Sequence, residues 1–383
     1  MIKGFQQRSG HQVGIHHRVY SPILEPPWCR NPQTASAILT AVAIASATVF
    51  APVDDATATA KLASQCDVIT FENEFVDLPA LAQIAEARFY PTLDSLKPLL
   101  DKLDQRQFLQ RIAVPTPRFL AIDAKQEAEF KDTVLQFGLP AVLKARRHGY
   151  DGQGTFILQD SQSDLPQALP NQWLLEEFIP FECELAVMAA RAIEGEVVIY
   201  PTVETQQEQQ VCRRVYVTAF APAITAQVEA IARRILAELN YVGVMGIEFF
   251  LSRDGKVLVN ELAPRTHNSG HYSLDACVTS QFEQQLRAVC GLPLGSPQLT
   301  SAGAVMVNLL GYETSSSDYA EKRQRLSEIP QAHLYWYGKT SRPGRKLGHV
   351  TVLLSNGQDR TEAETIAGTI EQYGRGGKQT ADE

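Results

Sequence analysis

Glu248 and Glu261 carry the first chemical signal, because they flank an Asp254-Gly255 turn between two apolar runs. Read as a hairpin with a two-residue turn, the sequence pairs Arg253 with Lys256 and carries Glu248 directly opposite Glu261. Cross-strand partners have Cβ atoms about 4.5–5.5 Å apart on one face of a sheet. Two carboxylates that close repel unless a cation lies between them, and oxygen ligands suit Mg²⁺, with Mn²⁺ as its substitute. Asn260, beside Glu261, offers an amide oxygen to the same ion. Solvated surface glutamates are the alternative, but the flanks Ile247, Phe249, Phe250, Leu258, Val259 and Leu262 are apolar.

A second signal is Gly149-Tyr150-Asp151-Gly152-Gln153-Gly154, which follows a strand carrying Lys144. It is neither a Walker A sequence nor a GxGxxG turn. Its glycines let backbone N–H groups approach phosphate oxygens, and a lysine on the preceding strand reaches the same phosphates. With a cation pair downstream, the combination reads as a nucleoside triphosphate site. A third signal is the stretch 329–358, which has no acidic side chain and holds Lys339, Arg342, Arg345, Lys346 and His349. Around the Pro343-Gly344 turn this suits an anionic small ligand, a phosphate or carboxylate. A polar knot, Arg265-Thr266-His267-Asn268-Ser269-Gly270-His271, follows Glu261 closely. Its histidines lack zinc-motif spacing.

The elements that must position these groups alternate between strand and helix, the α/β signature. The pattern predicts helices over Thr57–Gln65, Leu78–Ala87, 94–111, Thr225–Leu239 and Thr279–Cys290. It predicts strands over Asp67–Phe71, Ala141–Ala145, Trp173–Glu176, Glu184–Ala190, Val244–Leu251 and Val257–Ala263. Short strands follow Pro297, and the tail after Tyr373 is expected to be disordered. Three domains are expected: 1–97, 98–297 and 298–383.

Composition narrows the function. The 383 residues hold 35 Lys and Arg against 43 Asp and Glu, a net charge of −8 that argues against a nucleic-acid coat. Six cysteines without CxxC spacing are too few for a disulfide scaffold and point to a reducing cytosol. The longest uncharged run, Asn31 to Val53, is rich in Ala, Thr and Ser and too weakly apolar for a membrane span.

Taken in order, the motifs closely resemble the ATP-grasp enzymes, and among them the N5-carboxyaminoimidazole ribonucleotide synthetases of purine biosynthesis. The resemblance rests on Lys144 with Gly149–Gly154, Glu176-Glu177-Phe178-Ile179, Glu184, Gly243–Glu248, Asn260–His271, Thr279–Glu283, Met306–Gly311, Tyr337-Gly338-Lys339 and Arg342–Lys346. It covers residues 48–355. It implies an ATP-grasp fold with an N-terminal Rossmann-like domain, a small β-rich C-terminal domain, and a homodimer. It also implies an ATP-dependent ligase that carboxylates aminoimidazole ribonucleotide with bicarbonate. Lys102 and Lys144 would contact ATP phosphates under a lid of Gly149–Thr155. Glu176, Glu177, Phe178 and Ile179 would bind adenine through backbone groups, Glu184 would bind the ribose, and Gln207, Asn260 and Glu261 would complete the nucleotide site. Glu248 and Glu261 would hold Mg²⁺. Asp151, His267, Lys339 and Arg345 would be catalytic. Tyr150, Arg265, His267, Asn268, Ser269, Lys339, Arg342, Arg345 and Lys346 would surround bicarbonate and the ribonucleotide.

Three departures stand against that pattern. Gln153 replaces a basic lid residue of many relatives, and Gln207 replaces a histidine near the adenosine site. The opening G-x-G-Q-L strand and loop of the family has no counterpart in residues 1–40. That segment carries three of the eight histidines in its first 17 residues, and Glu25 is the one acid in residues 1–53. The expectation here is a frame disturbance or misplaced start in the gene. A nucleotide-binding protein with impaired carboxylation is the alternative it raises.

Overall fold

The computed structural model describes residues 49, 51–122, 127–147, 154–160, 163, 172–208 and 210–375. The expectations for residues 1–40, and for Gly149, Tyr150, Asp151, Gly152 and Gln153, fall outside that set. No helix among the described residues is long and apolar enough to cross a membrane.

The chain begins with helices α1 (Ala56–Ala63), α2 (Leu78–Leu81), α3 (Leu93–Leu96) and α4 (Lys102–Arg111). Three expectations change here. The strand over Asp67–Phe71 is reduced to one parallel bridge, Ile69 to Phe89. The helix over Leu78–Ala87 stops at Leu81. The helix over 94–111 is cut in two by a 3₁₀ turn at Lys97–Leu99, where Pro98 lacks the N–H a continuous helix needs. Asp101 restarts it, its carboxylate accepting from the Leu103 N–H at 2.9 Å.

A four-stranded antiparallel sheet follows. Its strands are β1 (Phe119–Ile122), β2 (Ala141–Ala145), β3 (Thr155–Leu158) and β4 (Trp173–Glu177), in the order β1-β4-β2-β3. Helix α5 (Glu127–Phe137) covers one face, packing Phe130, Val134 and Phe137 on Leu143 and Leu175.

The second sheet has nine strands. Its first half comprises β5 (Phe181–Arg191), β6 (Val197–Ile199), β7 (Val203–Glu208), β8 (Val211–Val217), β9 (Gly243–Ser252) and β10 (Val257–Ala263). Helix α6 (Pro222–Glu238) lies between β8 and β9 in sequence. After the short helix α7 (Ser273–Ala276) and α8 (Gln281–Val289), the chain returns as β11 (Gly303–Leu310). It ends with α9 (Ala320–Ser327), β12 (Ala332–Trp336), β13 (Lys346–Leu354) and α10 (Arg360–Arg375). The strand order is β10-β9-β5-β7-β8-β11-β13-β12, with β6 on β5. β11 pairs directly with β8, so the C-terminal strands extend the same sheet. Two helices accompany them that the sequence pattern did not predict. Ala363, Ala367 and Ile370 of α10 seal against Val305, Val307 and Val350. That helix runs through Arg375, past the expected end of order at Tyr373.

Period-two alternation positions the site. Met245, Ile247 and Phe249 of β9 and Leu185, Val187 and Ala189 of β5 face α6 in the largest core. Gly246, Glu248 and Phe250 therefore face the opposite way. β10 departs from the simple hairpin. Gly255, at φ +78, makes a three-residue loop with Ser252 bonded to Lys256, in place of the expected two-residue turn. The ladder then pairs Val259 with Phe249, one residue out of the expected register. A β-bulge at Asn260 restores it, and Glu261 stands opposite Glu248. The bulge lets Val257, Val259 and Leu262 all remain in the core while Glu261 joins Glu248 on the cleft face.

Phe249 is fully buried at the centre of that core. Phe249→Ala is expected to destabilise the fold by about 3–5 kcal/mol. Urea unfolding monitored by circular dichroism measures this, and a loss below 1 kcal/mol would contradict the packing described.

Candidate active site

The paired carboxylates stand on β9 and β10 as the register requires. Burial first, then the neighbouring Glu261 and Glu184 carboxylates, push the Glu248 carboxyl up to about 7. Burial acts the same way on Glu261, but the Lys102 ammonium outweighs it and holds that carboxyl down to about 2. Lys102, in the first turn of α4, contacts Glu261 at 2.5 Å. The His267 Nε2 lies 3.8 Å from Glu248. Among the described residues no group of three or more His, Cys, Asp or Glu can cage a metal. The donors present, two carboxylates and the Asn260 amide, suit a hard cation that takes its remaining ligands from phosphate and water.

Lys144 projects from β2 into the same cleft. It reaches the buried Glu176 at 2.7 Å and donates to the Asn260 amide oxygen at 3.1 Å. Glu176 also takes the Arg106 Nε at 2.5 Å. Arg106 then donates to the carbonyls of Val259 at 3.3 Å and Asn260 at 2.6 Å, on either side of the bulge. The two cations hold the Glu176 carboxyl well below the usual carboxylate range against the effect of burial. Two cations share one anion, so the triad presents a surplus positive charge to the cleft. Arg106 is missing from the sequence-derived site. Nothing in the sequence sets it apart from Lys102 and Arg111 in the same charged helix.

The remaining expected nucleotide residues lie on β3, β4, β5 and β7 and on the links that lead into them. Glu177 ends β4, its N–H bonded to the Arg118 carbonyl, and Phe178 and Ile179 form the link to β5. Glu184 on β5 is pushed up to about 7 by burial. Gln207 lies on β7, two residues past Thr205, the cross-strand partner of Glu184. Gly154 and Thr155 close the β2–β3 hairpin, with the Gly154 carbonyl accepting from Ala145 and Thr155 paired to Lys144.

The polar knot is pinned from three sides. Gln281, the first residue of α8, accepts from the His267 N–H at 2.9 Å and donates to its carbonyl at 2.8 Å. The His267 Nδ1 and the Ser269 hydroxyl are 2.9 Å apart. Asn268 and Asn308 exchange amide hydrogen bonds of 2.9 and 2.7 Å. Arg265 pairs with Glu74 at 3.0 Å, so the segment just after the expected strand Asp67–Phe71 reaches the site. The basic arm folds back onto the end of β11. Gly344 donates to the Gly311 carbonyl, Gly311 donates to the Arg345 carbonyl, and Arg345 donates from its side chain to the Thr340 carbonyl. Arg342 opens that turn, and Lys346 starts β13, close enough to influence Glu248.

Comparison with known proteins agrees with this arrangement. The ATP-grasp domain family matches residues 107–282, and the phosphoribosylaminoimidazole carboxylase C-terminal domain matches 304–363. An N5-carboxyaminoimidazole ribonucleotide synthase of Synechococcus elongatus is 59% identical over 338 residues, covering 86% of this chain and 84% of its own. One from Bacillus subtilis is 38% identical over 351 residues, covering 90% and 87%. A crystal structure of the Aspergillus clavatus carboxyaminoimidazole ribonucleotide synthase with ATP superposes with a TM-score of 0.81 at 31% identity, covering 88% and 89%. Two sheets facing a lysine- and glutamate-lined cleft, with that domain match, make this an ATP-grasp chain. It belongs to the N5-carboxyaminoimidazole ribonucleotide synthase family.

Two outcomes follow from this geometry. A Cβ on Gly246 would lie 2.6 Å from the His267 Cβ. Gly246→Ala should therefore displace the knot and cut turnover at least about tenfold while the chain still folds, as steady-state kinetics beside circular dichroism will show. The second concerns pH. Glu184 ionises near 4.5 when unfolded and near 7 when folded, so its contribution to stability is complete below 4.5 and lost as pH rises to 7. Glu184→Gln should flatten the fall in ligand-free stability between those limits, and an equal fall in variant and parent contradicts the assignment.

Proposed function

We propose that this chain carboxylates the amine of 5-aminoimidazole ribonucleotide, consuming ATP and bicarbonate and yielding N5-carboxyaminoimidazole ribonucleotide, ADP and phosphate in purine biosynthesis. The observation that carries this reading is the convergence of Lys102, Lys144, Glu248, Glu261 and His267 on one cleft.

The nucleotide lies between the sheets. Glu177, Phe178 and Ile179 offer backbone groups to adenine, and Glu184 offers its carboxyl to the ribose. The surplus positive charge of the Arg106–Glu176–Lys144 triad faces the phosphates. Lys102 exchanges its contact with Glu261 for the phosphate chain. Glu248 and Glu261, with the Asn260 amide, are the residues that would hold Mg²⁺, or Mn²⁺ in its place. When bound, the ion neutralises charge on the β- and γ-phosphates.

A bicarbonate oxygen attacks the γ-phosphorus as the bond to the β-phosphate oxygen breaks, giving carboxyphosphate and ADP. Carboxyphosphate separates into CO2 and phosphate. The ribonucleotide amine adds to CO2 and loses a proton, forming the carbamate. The protein contributes positioning and charge more than covalent help. His267, held at its backbone by Gln281, stands beside Glu248 where the carboxyl transfer takes place. Arg265, Asn268, Ser269 and the arm of Lys339, Arg342, Arg345 and Lys346 receive the ribonucleotide and bicarbonate. Asp151 and Tyr150 belong to the lid in this scheme. The five described cysteines are free thiols, in keeping with a cytosolic enzyme. The homodimer implied by the family resemblance is part of the same proposal.

The test is phosphate release from ATP with bicarbonate, with and without aminoimidazole ribonucleotide. The ribonucleotide should stimulate it, and Lys144→Met should lower kcat/KM for ATP about 10²–10³-fold. ATP binding without ribonucleotide stimulation would sink this reading in favour of a nucleotide-binding protein.

A further inference from the structure

The polar knot follows β10 and the basic arm links β12 to β13, at opposite edges of the nine-stranded sheet, yet under the proposed function both meet one ribonucleotide. A stripe of polar and aromatic side chains joins them. His349 on β13 is paired across the ladder with Tyr335 on β12 and with Asn308 on β11. Tyr335 stacks on the His349 ring at 4.7 Å and 11°. Asn308 holds the knot through its exchange with Asn268. The His271 ring, also in the knot, lies 5.2 Å from the His349 ring. On its other side, the His349 Nδ1 shares a 2.7 Å hydrogen bond with the Tyr337 hydroxyl. Tyr337 extends the β12 ladder by one bond, to the Leu347 carbonyl, before the chain turns at Gly338, φ +66. Lys339 comes directly after that turn, and its ammonium lies 5.1 Å from the Tyr337 ring centroid.

We infer that His349, through Tyr337, is a positioning residue for Lys339, fixing the basic arm relative to the knot. This rests on the proposed role of Lys339 toward the ribonucleotide. His349 is 2% exposed, and its Nε2 has no hydrogen-bond partner among the described residues. A buried polar atom without a partner is costly, so the ring is kept for the bond it makes on its other nitrogen. Burial pushes the imidazole down to about 4, so it is neutral near pH 7 and adds no charge to the anion site. Its part is geometric. It holds the Tyr337 ring through the hydroxyl, tilted 50° to its own plane, and that ring supports the lysine on its face.

Two readouts test this. The first needs no turnover: reductive ¹³C-methylation of lysines, with the Lys339 signal identified by Lys339→Arg. In the parent that signal should be displaced by the Tyr337 ring. His349→Leu should return it toward the position of an exposed lysine, and His349→Asn, which restores a hydrogen-bonding group, should recover part of the displacement. The second readout is kinetic. Tyr337→Phe and His349→Leu should each raise KM for the ribonucleotide about five- to tenfold, with KM for ATP within about twofold of the parent. Their combined effect should be less than additive, because both break one chain of contacts. A Lys339 signal unmoved in His349→Leu overturns the inference, as does an equal loss in both substrates. A displaced signal in a chain that shows no ribonucleotide-stimulated turnover would support the positioning while rejecting the proposed function.

Discussion

Arg106 donates to Glu176 on the four-stranded sheet and to two carbonyls of β10 on the nine-stranded sheet. A buried guanidinium is tolerated only when its donors are satisfied and its charge is met. Here one carboxylate meets the charge, and the bulged backbone takes further N–H groups. A bulge leaves carbonyls without ladder partners, and Arg106 supplies what the ladder cannot. One side chain thus ties the sheet that carries Lys144 to the strand that carries Asn260 and Glu261. The register of the carboxylate pair, the direction of Lys144 and the spacing of the two sheets all depend on that contact.

The charge arithmetic of the same cluster gives the cleft its preference. Glu176 cancels one of the two cations it touches, and the other remains. Glu248 on the facing sheet leans toward its neutral form because burial and the Glu261 and Glu184 carboxylates outweigh the nearby Lys102 and Lys346 charges. The site is therefore electrostatically unfinished on both sides. In the proposed reaction ATP would bring anionic phosphate to Lys144, and Mg²⁺ would bring a cation to Glu248.

Much of this was legible in the residues. The strands over Ala141–Ala145 and Val257–Ala263 stand where alternation and apolar runs put them, and Glu248 does face Glu261. The route to that pairing was different. The turn has three residues, and the bulge at Asn260 compensates. Its trace was present, since core residues Val257 and Val259 are two apart while the next, Leu262, follows after three. Short helices near the N-terminus were overestimated because local pattern ignores Pro98 and the tertiary contacts that decide where a helix ends. The helices α9 and α10 were not legible because α9 is almost wholly polar and the apolar positions of α10, Ala363, Ala367 and Ile370, are few and mostly small. The roles of Arg106, Glu74 and Gln281 were not legible because they come from partners 70 or more residues away or on another element, which no local spacing reveals.

The contact between Lys102 and Glu261 has a consequence for the order of events. In the ligand-free protein a lysine already neutralises one of the two carboxylates that a metal would need. A bare divalent ion must displace an attached side chain and gains only one further carboxylate, which itself favours its proton. Under the proposed function a metal arriving on ATP would face no such contest, because the phosphates would draw Lys102 away as they enter. Under the proposed function the salt bridge would therefore act as a filter on arrival, favouring a metal that comes with its nucleotide over the free ion.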